Sequence, residues 1–190
     1  MRVDKVSATP FLAGDPVNIA CSTLSQRTIE QKIHTARSIW TLHGDALMAD
    51  EQVNTAIVKL KKAIEQSWLL MRELKVVDGC GICATTKPGG GCCGAGIEDW
   101  YDEYVLLMNL MMGRNIPEAR EEETGCLFLG PTGCKLMARF HFCINYLCPD
   151  IRERLSAPKM QKLTAQNGRE IYCGWQLENI IRERLVEWDG

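Results

Sequence analysis

The sequence has no apolar run approaching the roughly 20 residues that a membrane-spanning helix needs. Its start, MRVDKVSATPFLAG, also lacks the apolar stretch of a secretory signal. These two absences predict a soluble, cytoplasmic protein with no membrane partner. Blocks of like charge are missing too: acids and bases are interspersed and the formal net charge is only −2. That excludes the electrostatic footprint of a nucleic-acid binder, so nucleic acid is not an expected partner. There is no internal repeat and no low-complexity segment. A chain of 190 residues fits one ordinary domain, or one domain with an appended helical piece, and is long enough to bury a core without covalent staples.

Cysteine is what the chain does have, ten of them. In a reducing compartment they stay thiols, so a cluster points to metal or redox chemistry rather than to a disulfide framework. Eight fall in two groups of four: Cys80, Cys83, Cys92 and Cys93, then Cys126, Cys134, Cys143 and Cys148. Cys21 and Cys173 stand apart and are read as non-ligands, since free buried cysteine often behaves as a small hydrophobe. Cys80 and Cys83 form a CxxC chelate, whose two intervening residues let a turn bring both sulfurs to one ion. The doublet Cys92-Cys93 cannot easily fill two vertices of one tetrahedron, because successive side chains diverge in extended chain. The doublet is therefore read as serving different metal ions, which places both groups at a common site.

The stretch GCGICATTKPGGGCCGAG, residues 79–96, reads as a loop wrapped around metal. Its Gly89, Gly90, Gly91, Gly94 and Gly96 permit positive φ and close backbone approach, with N–H groups aimed at sulfur. Lys87, Lys135 and Arg139 are candidates for offsetting thiolate charge. GGGCCG formally matches GxGxxG, but ATTKP upstream is no buried strand, and a dinucleotide site needs strand, glycine turn and helix together. His141, between two phenylalanines, reads as a packed group or one supporting the ligands more readily than as a ligand.

The expected fold is mostly α: an irregular arm over residues 1–22, a helical hairpin over 23–76, and a loop-rich cysteine-cluster domain over 77–190. Ile29, Ile33, Ala36 and Trp40 set the first helix from Thr23 to about His43, with Thr23, Ser25 and Thr28 as start signals. After a turn in HGDALMAD, the spacing of Val53, Ile57, Leu60, Ile64, Met71 and Leu74 predicts a long second helix. Its seam is expected to be a contact surface, inside the domain or across a homodimer. A third helix is predicted over residues 97–113, where Asp99, Asp102 and Glu103 are explained by the helix dipole and solvent rather than by catalysis. CLFLGPTGCKL reads as a tight β-hairpin with a cysteine on each arm. The tail from Gly168 to Trp188 reads as a final helix burying Ile171, Trp175, Leu177, Ile181, Leu185 and Trp188.

With these residues assembled, the chain resembles the YkgJ-type cysteine-cluster family, a zinc- or iron-chelating domain also found in flagellin N-methylase proteins. The resemblance covers about Asp78 to Cys148. It is carried by the CxxC, the Cys92-Cys93 doublet, CLFLGPTGC, and ARFHFC with Arg139 ahead of Cys143. It differs in TTKPGGG, which lengthens the Cys83 to Cys92 interval, and in Phe140, where proline is usual. The resemblance implies metal chelation by eight cysteines, with iron–sulfur chemistry and a redox or cluster-dependent role. Irregular spacing in the second group and the Cys148-Pro149 dipeptide favour an iron–sulfur cluster over zinc. The competing reading is a zinc-stapled module that binds a protein partner through the hairpin.

Overall fold

The computed structural model describes residues 27–86 and 88–189. Its elements run α1 (Ile29–Ala49), α2 (Glu51–Glu73), α3 (Val76–Thr86), α4 (Glu103–Met111), β1 (Leu129–Gly130), β2 (Gly133–Cys134), α5 (His141–Asn145), α6 (Pro149–Arg154) and α7 (Ala157–Asp189). The fold is mostly helical, with one short antiparallel hairpin pairing Leu129 with Cys134 and Gly130 with Gly133. The irregular arm, Thr23 and Ser25 lie outside the described residues.

Thr28 starts α1 through a capping box: its hydroxyl accepts from the Gln31 N–H, and the Gln31 side chain accepts from the Thr28 N–H at 2.9 Å. The helix runs through the expected turn at HGDALMAD. Gly44 lies under the Trp40 ring, where a Cβ would come within 2.9 Å of it, and Leu47 is fully buried, so packing carries the helix on to Ala49. Asp50 alone makes the turn. It caps the end of α1 and the start of α2, accepting from the Val53 N–H at 2.9 Å.

On α2 the predicted seam is buried at Val53, Ile57, Leu60, Ile64 and Met71, while Leu74 is half-buried. Ser67, which interrupts that seam, is fully buried and donates to the Ala63 carbonyl at 3.1 Å. The cover comes from the same chain: α2 packs chiefly on α7, and α1 chiefly on α4. One apolar cluster joins α1, α2, α4, the β-hairpin and α7, so the helical hairpin and the cysteine-bearing part share a core. A second, smaller cluster of Leu70, Met71, Val76, Leu147, Ile151 and Leu163 gathers the junction of α2 and α3 with α6 and the start of α7.

Two more expected helices have different bounds. Residues 97–113 split into a 3-10 turn at Ile97–Trp100, an extended Tyr101 and α4, because the Asp102 carboxylate caps α4 by accepting from the Tyr104 and Val105 N–H groups at 2.9 Å. Glu103 is paired with Arg27 at 2.6 Å. Gly113 ends α4 at φ +77°, as predicted, with the Arg114 N–H reaching back to the Asn109 carbonyl. The last helix begins at Ala157, well before Gly168. It buries Leu177, Ile181 and Leu185, but Trp175 is 58% exposed and Trp188 is 38% exposed. Two residues turn a helix by about 200°, so Trp175 cannot share a face with Leu177.

Candidate metal centre

The eight central cysteines are spread over α3, the 3-10 stretch that follows it, the β-hairpin and its approach, α5 and the start of α6. Cys80 and Cys83 sit on α3, three residues apart and therefore on one face. The expected loop over residues 79–96 is thus partly helix. Lys75, at φ +55°, breaks the chain after α2, and buried Val76 anchors the new helix, whose Gly79 lies beside the Arg154 and Ile151 side chains of α6. The 3-10 stretch Pro88–Cys93 then delivers Cys92 and Cys93. Cys126 precedes β1, Cys134 ends β2, Cys143 is on α5, and Cys148 is the N-cap residue of α6.

Backbone bonds stitch the two cysteine groups together. The Cys126 N–H donates to the Cys93 carbonyl at 2.7 Å, the Ala95 N–H donates to Thr124 at 3.0 Å, and Gly94 forms an antiparallel bridge with Gly125. Gly91 and Gly96 take positive φ, at +60° and +94°, as the glycine argument expected; Gly94 is instead spent on the bridge. Buried Glu98 reinforces the seam, accepting from the Gly96 N–H at 3.1 Å and pairing with Arg120, which also donates to the Gly125 carbonyl. Nothing in the residue pattern marked Glu98, which in sequence looks like one more exposed acid.

Cys80, Cys92, Cys93, Cys126, Cys134 and Cys143 line one cavity of about 620 Å³, which is walled by both apolar clusters. Cys83 and Cys148 stand behind Cys80 and influence its charge. Among the described residues, no three His, Cys, Asp or Glu side chains lie close enough together to hold one metal ion. Cys173 and His141 are off this lining; exposed His141 borders a smaller cavity with Asp102 and Glu178. Cys21 and Lys87 lie outside the described residues, and Lys135 is drawn to Glu121 at 2.5 Å.

The cavity is electrostatically unusual for free thiols. Burial and the neighbouring Cys92, Cys148 and Cys83 push the Cys80 thiol up to about 11. Burial pushes Cys126 up to about 12, opposed by the Phe128 backbone amide. Cys93 is raised by its hydrogen bond with Cys92 and by burial, and burial also raises Cys134 and Cys143. A cation bound among these sulfurs would have to displace their protons.

Arg139 is the cation that faces them, favouring the thiolate forms of Cys80, Cys134 and Cys143. It is buried, its guanidinium lies 4.5 Å over the Trp68 ring, and its Nε has no hydrogen-bond partner among the described residues. Buried amides fix the chain on either side of it. Asn109 accepts from the Met137 N–H at 2.7 Å and donates to the Ala138 carbonyl at 2.9 Å, while Asn167 donates to the Ile144 carbonyl at 2.8 Å. A buried arginine with an unspent donor beside a ring of sulfurs suits an anionic, thiolate-bound group, so the donor set fits the expected chemistry.

Fold and cavity together define a mostly helical, cysteine-rich protein. The chain matches no family model, no curated protein and no solved structure. Among the described residues, no helix is long and apolar enough to cross a membrane.

Proposed function

We propose that this is a metal-binding protein whose eight central cysteines hold a polynuclear iron–sulfur centre with a redox or cluster-dependent role, as the resemblance to YkgJ-type domains implies. The observation that carries this reading is that six of those cysteines, drawn from both groups, line a single cavity of about 620 Å³. A structural zinc draws four ligands to within about 2.0–2.3 Å of one point. Thiolates spread around such a volume suit an inorganic core with several iron atoms, each anchored by a different sulfur.

In this reading the two groups are not separate knuckles, because the Cys93 to Cys126 backbone bond makes them parts of one wall. Arg139 supplies positive charge opposite the thiolates. When bound, the cluster supplies reversible one-electron storage. Its partner is a redox protein or a small-molecule substrate.

Anaerobic purification followed by iron, sulfide and zinc analysis tests the proposal. A brown protein with stoichiometric iron and acid-labile sulfide is expected. A colourless protein with stoichiometric zinc would establish the zinc-stapled alternative instead.

A further inference from the structure

Tyr101, which the expected helix over 97–113 places on one face with Ile97, Tyr104, Met108 and Met111, is buried, but not on a helix. It lies in the extended link between the 3-10 turn and α4, with φ −68° and ψ 147°, and this turns its ring inward, away from the neighbouring exposed Trp100. The ring is 1% exposed and wedged between Phe128, at a centroid distance of 4.8 Å, and Phe140, at 5.9 Å. A buried phenol needs a hydrogen-bond partner. The Tyr101 hydroxyl finds it in sulfur, donating to Cys143 Sγ at 3.8 Å, and it also bears on Cys134 from the opposite arm of the β-hairpin. It lines the large cavity alongside both cysteines.

We infer that the Tyr101 hydroxyl is a dedicated hydrogen-bond donor to the thiolate of Cys143, beside Cys134, setting the electron-accepting tendency of the centre they hold. The inference rests on the proposed metal-binding role of those cysteines. A core position filled only for volume would take phenylalanine, which avoids burying a hydroxyl. An O–H aimed at a ligating sulfur withdraws charge from it, which favours the more negative, reduced state of the centre and lowers the energy of the sulfur lone pairs. The clamp of Phe128 and Phe140 on the ring holds the donor where the sulfurs are.

Wild-type and Tyr101→Phe proteins, both full-length and purified anaerobically, would be compared for iron, sulfide and midpoint potential. Equal iron with a lower potential in Tyr101→Phe is expected. Tyr104→Phe, which removes a hydroxyl from a ring that packs under Arg182 and is off the cavity lining, should hold the wild-type potential. Equal iron and equal potential in wild type and Tyr101→Phe would overturn the inference and leave the iron–sulfur proposal standing. If Tyr101→Phe loads no iron, a ring-fluorinated tyrosine at position 101 replaces it: this stronger donor of nearly the same shape should raise the potential, and an unmoved potential overturns the inference. If the native metal is zinc, the iron–sulfur proposal falls by itself, and the donor is read in cobalt(II)-substituted protein. There the thiolate-to-metal absorption of Tyr101→Phe should move to lower energy, and an unmoved band overturns the inference.

Discussion

Arg139 and Glu170 face each other at 3.5 Å with both side chains buried, an ion pair placed between α7 and the cysteine cavity. Burial pushes the Glu170 carboxyl above its ordinary range even against the pull of Arg139, and neither of its oxygens has a hydrogen-bond partner among the described residues. A folded-state pKa above the unfolded value means that the native protein binds this proton more tightly. Stability is then lost as pH rises from the ordinary glutamate range, about 4.3, through the raised value. Glu170→Gln should abolish that loss. Urea melts across pH 4 to 8 should show the two proteins equal in acid and the variant more stable at neutral pH; parallel curves would mean that Glu170 does not titrate in this range.

Single serine substitutions test the ligand set. Changes at Cys80, Cys83, Cys92, Cys93, Cys126, Cys134, Cys143 or Cys148 should lower bound metal, whereas Cys173→Ser and Cys21→Ser should retain it. Cys173 is on α7, off the cavity lining. Full metal retention in most of the eight variants would remove the assignment.

Metal removal should loosen one segment selectively. The α3 helix is anchored at its start by Val76 and Gly79, and the Cys93 to Gly96 end is tied by backbone bonds to Thr124 and Cys126. The stretch between those anchors depends on ligation for its order. After treatment with a chelator, limited proteolysis should cut first between residues 83 and 92, with α1, α2 and α7 still protected; equal protection of that stretch with and without metal would show that it supports itself.

Ile57 is 3% exposed within a single copy of the chain. Ile57→Asp should therefore destabilise by at least the roughly 2–5 kcal/mol that truncating a buried aliphatic costs, with broad unfolding rather than a change of assembly. Light scattering alongside a thermal melt distinguishes the outcomes. A fall from dimer to folded monomer would make this seam a subunit interface.

Asp50 joins two helices and is paired with Arg184 at 2.8 Å. The Val53 amide, then Arg184, hold its carboxyl below the usual range. Asp50→Ala should cost about 1 kcal/mol at neutral pH. Because the folded pKa is depressed, that contribution is present above the unfolded value, near 3.9, and fades as pH falls through the folded one. Denaturation midpoints of wild type and variant should converge in strong acid.

The sequence by itself determined the elements whose cause is local. Thr28 as a start signal, the seam on α2, the Gly-Pro-Thr-Gly turn and Gly113 each act within a few residues of chain, so period and turn chemistry were enough to read them. The cysteine spacing set eight thiols apart from two, and the structure brings six of the eight to one cavity. Misreadings came where one local signal outweighed another: the Trp40 ring packs on Gly44 one turn along and α1 runs through an apparent turn, α3 makes helix of an apparent loop, and the Asp102 cap cuts one apparent helix in two. Only the tertiary structure decided which polar residues serve the cavity. Glu98, Tyr101, Asn109 and Glu170 come from separate segments, and each is buried because another segment covers it. Burial of that kind has no period in the sequence, and it converts an ordinary acid, amide or phenol into a group that must find its partner inside the protein.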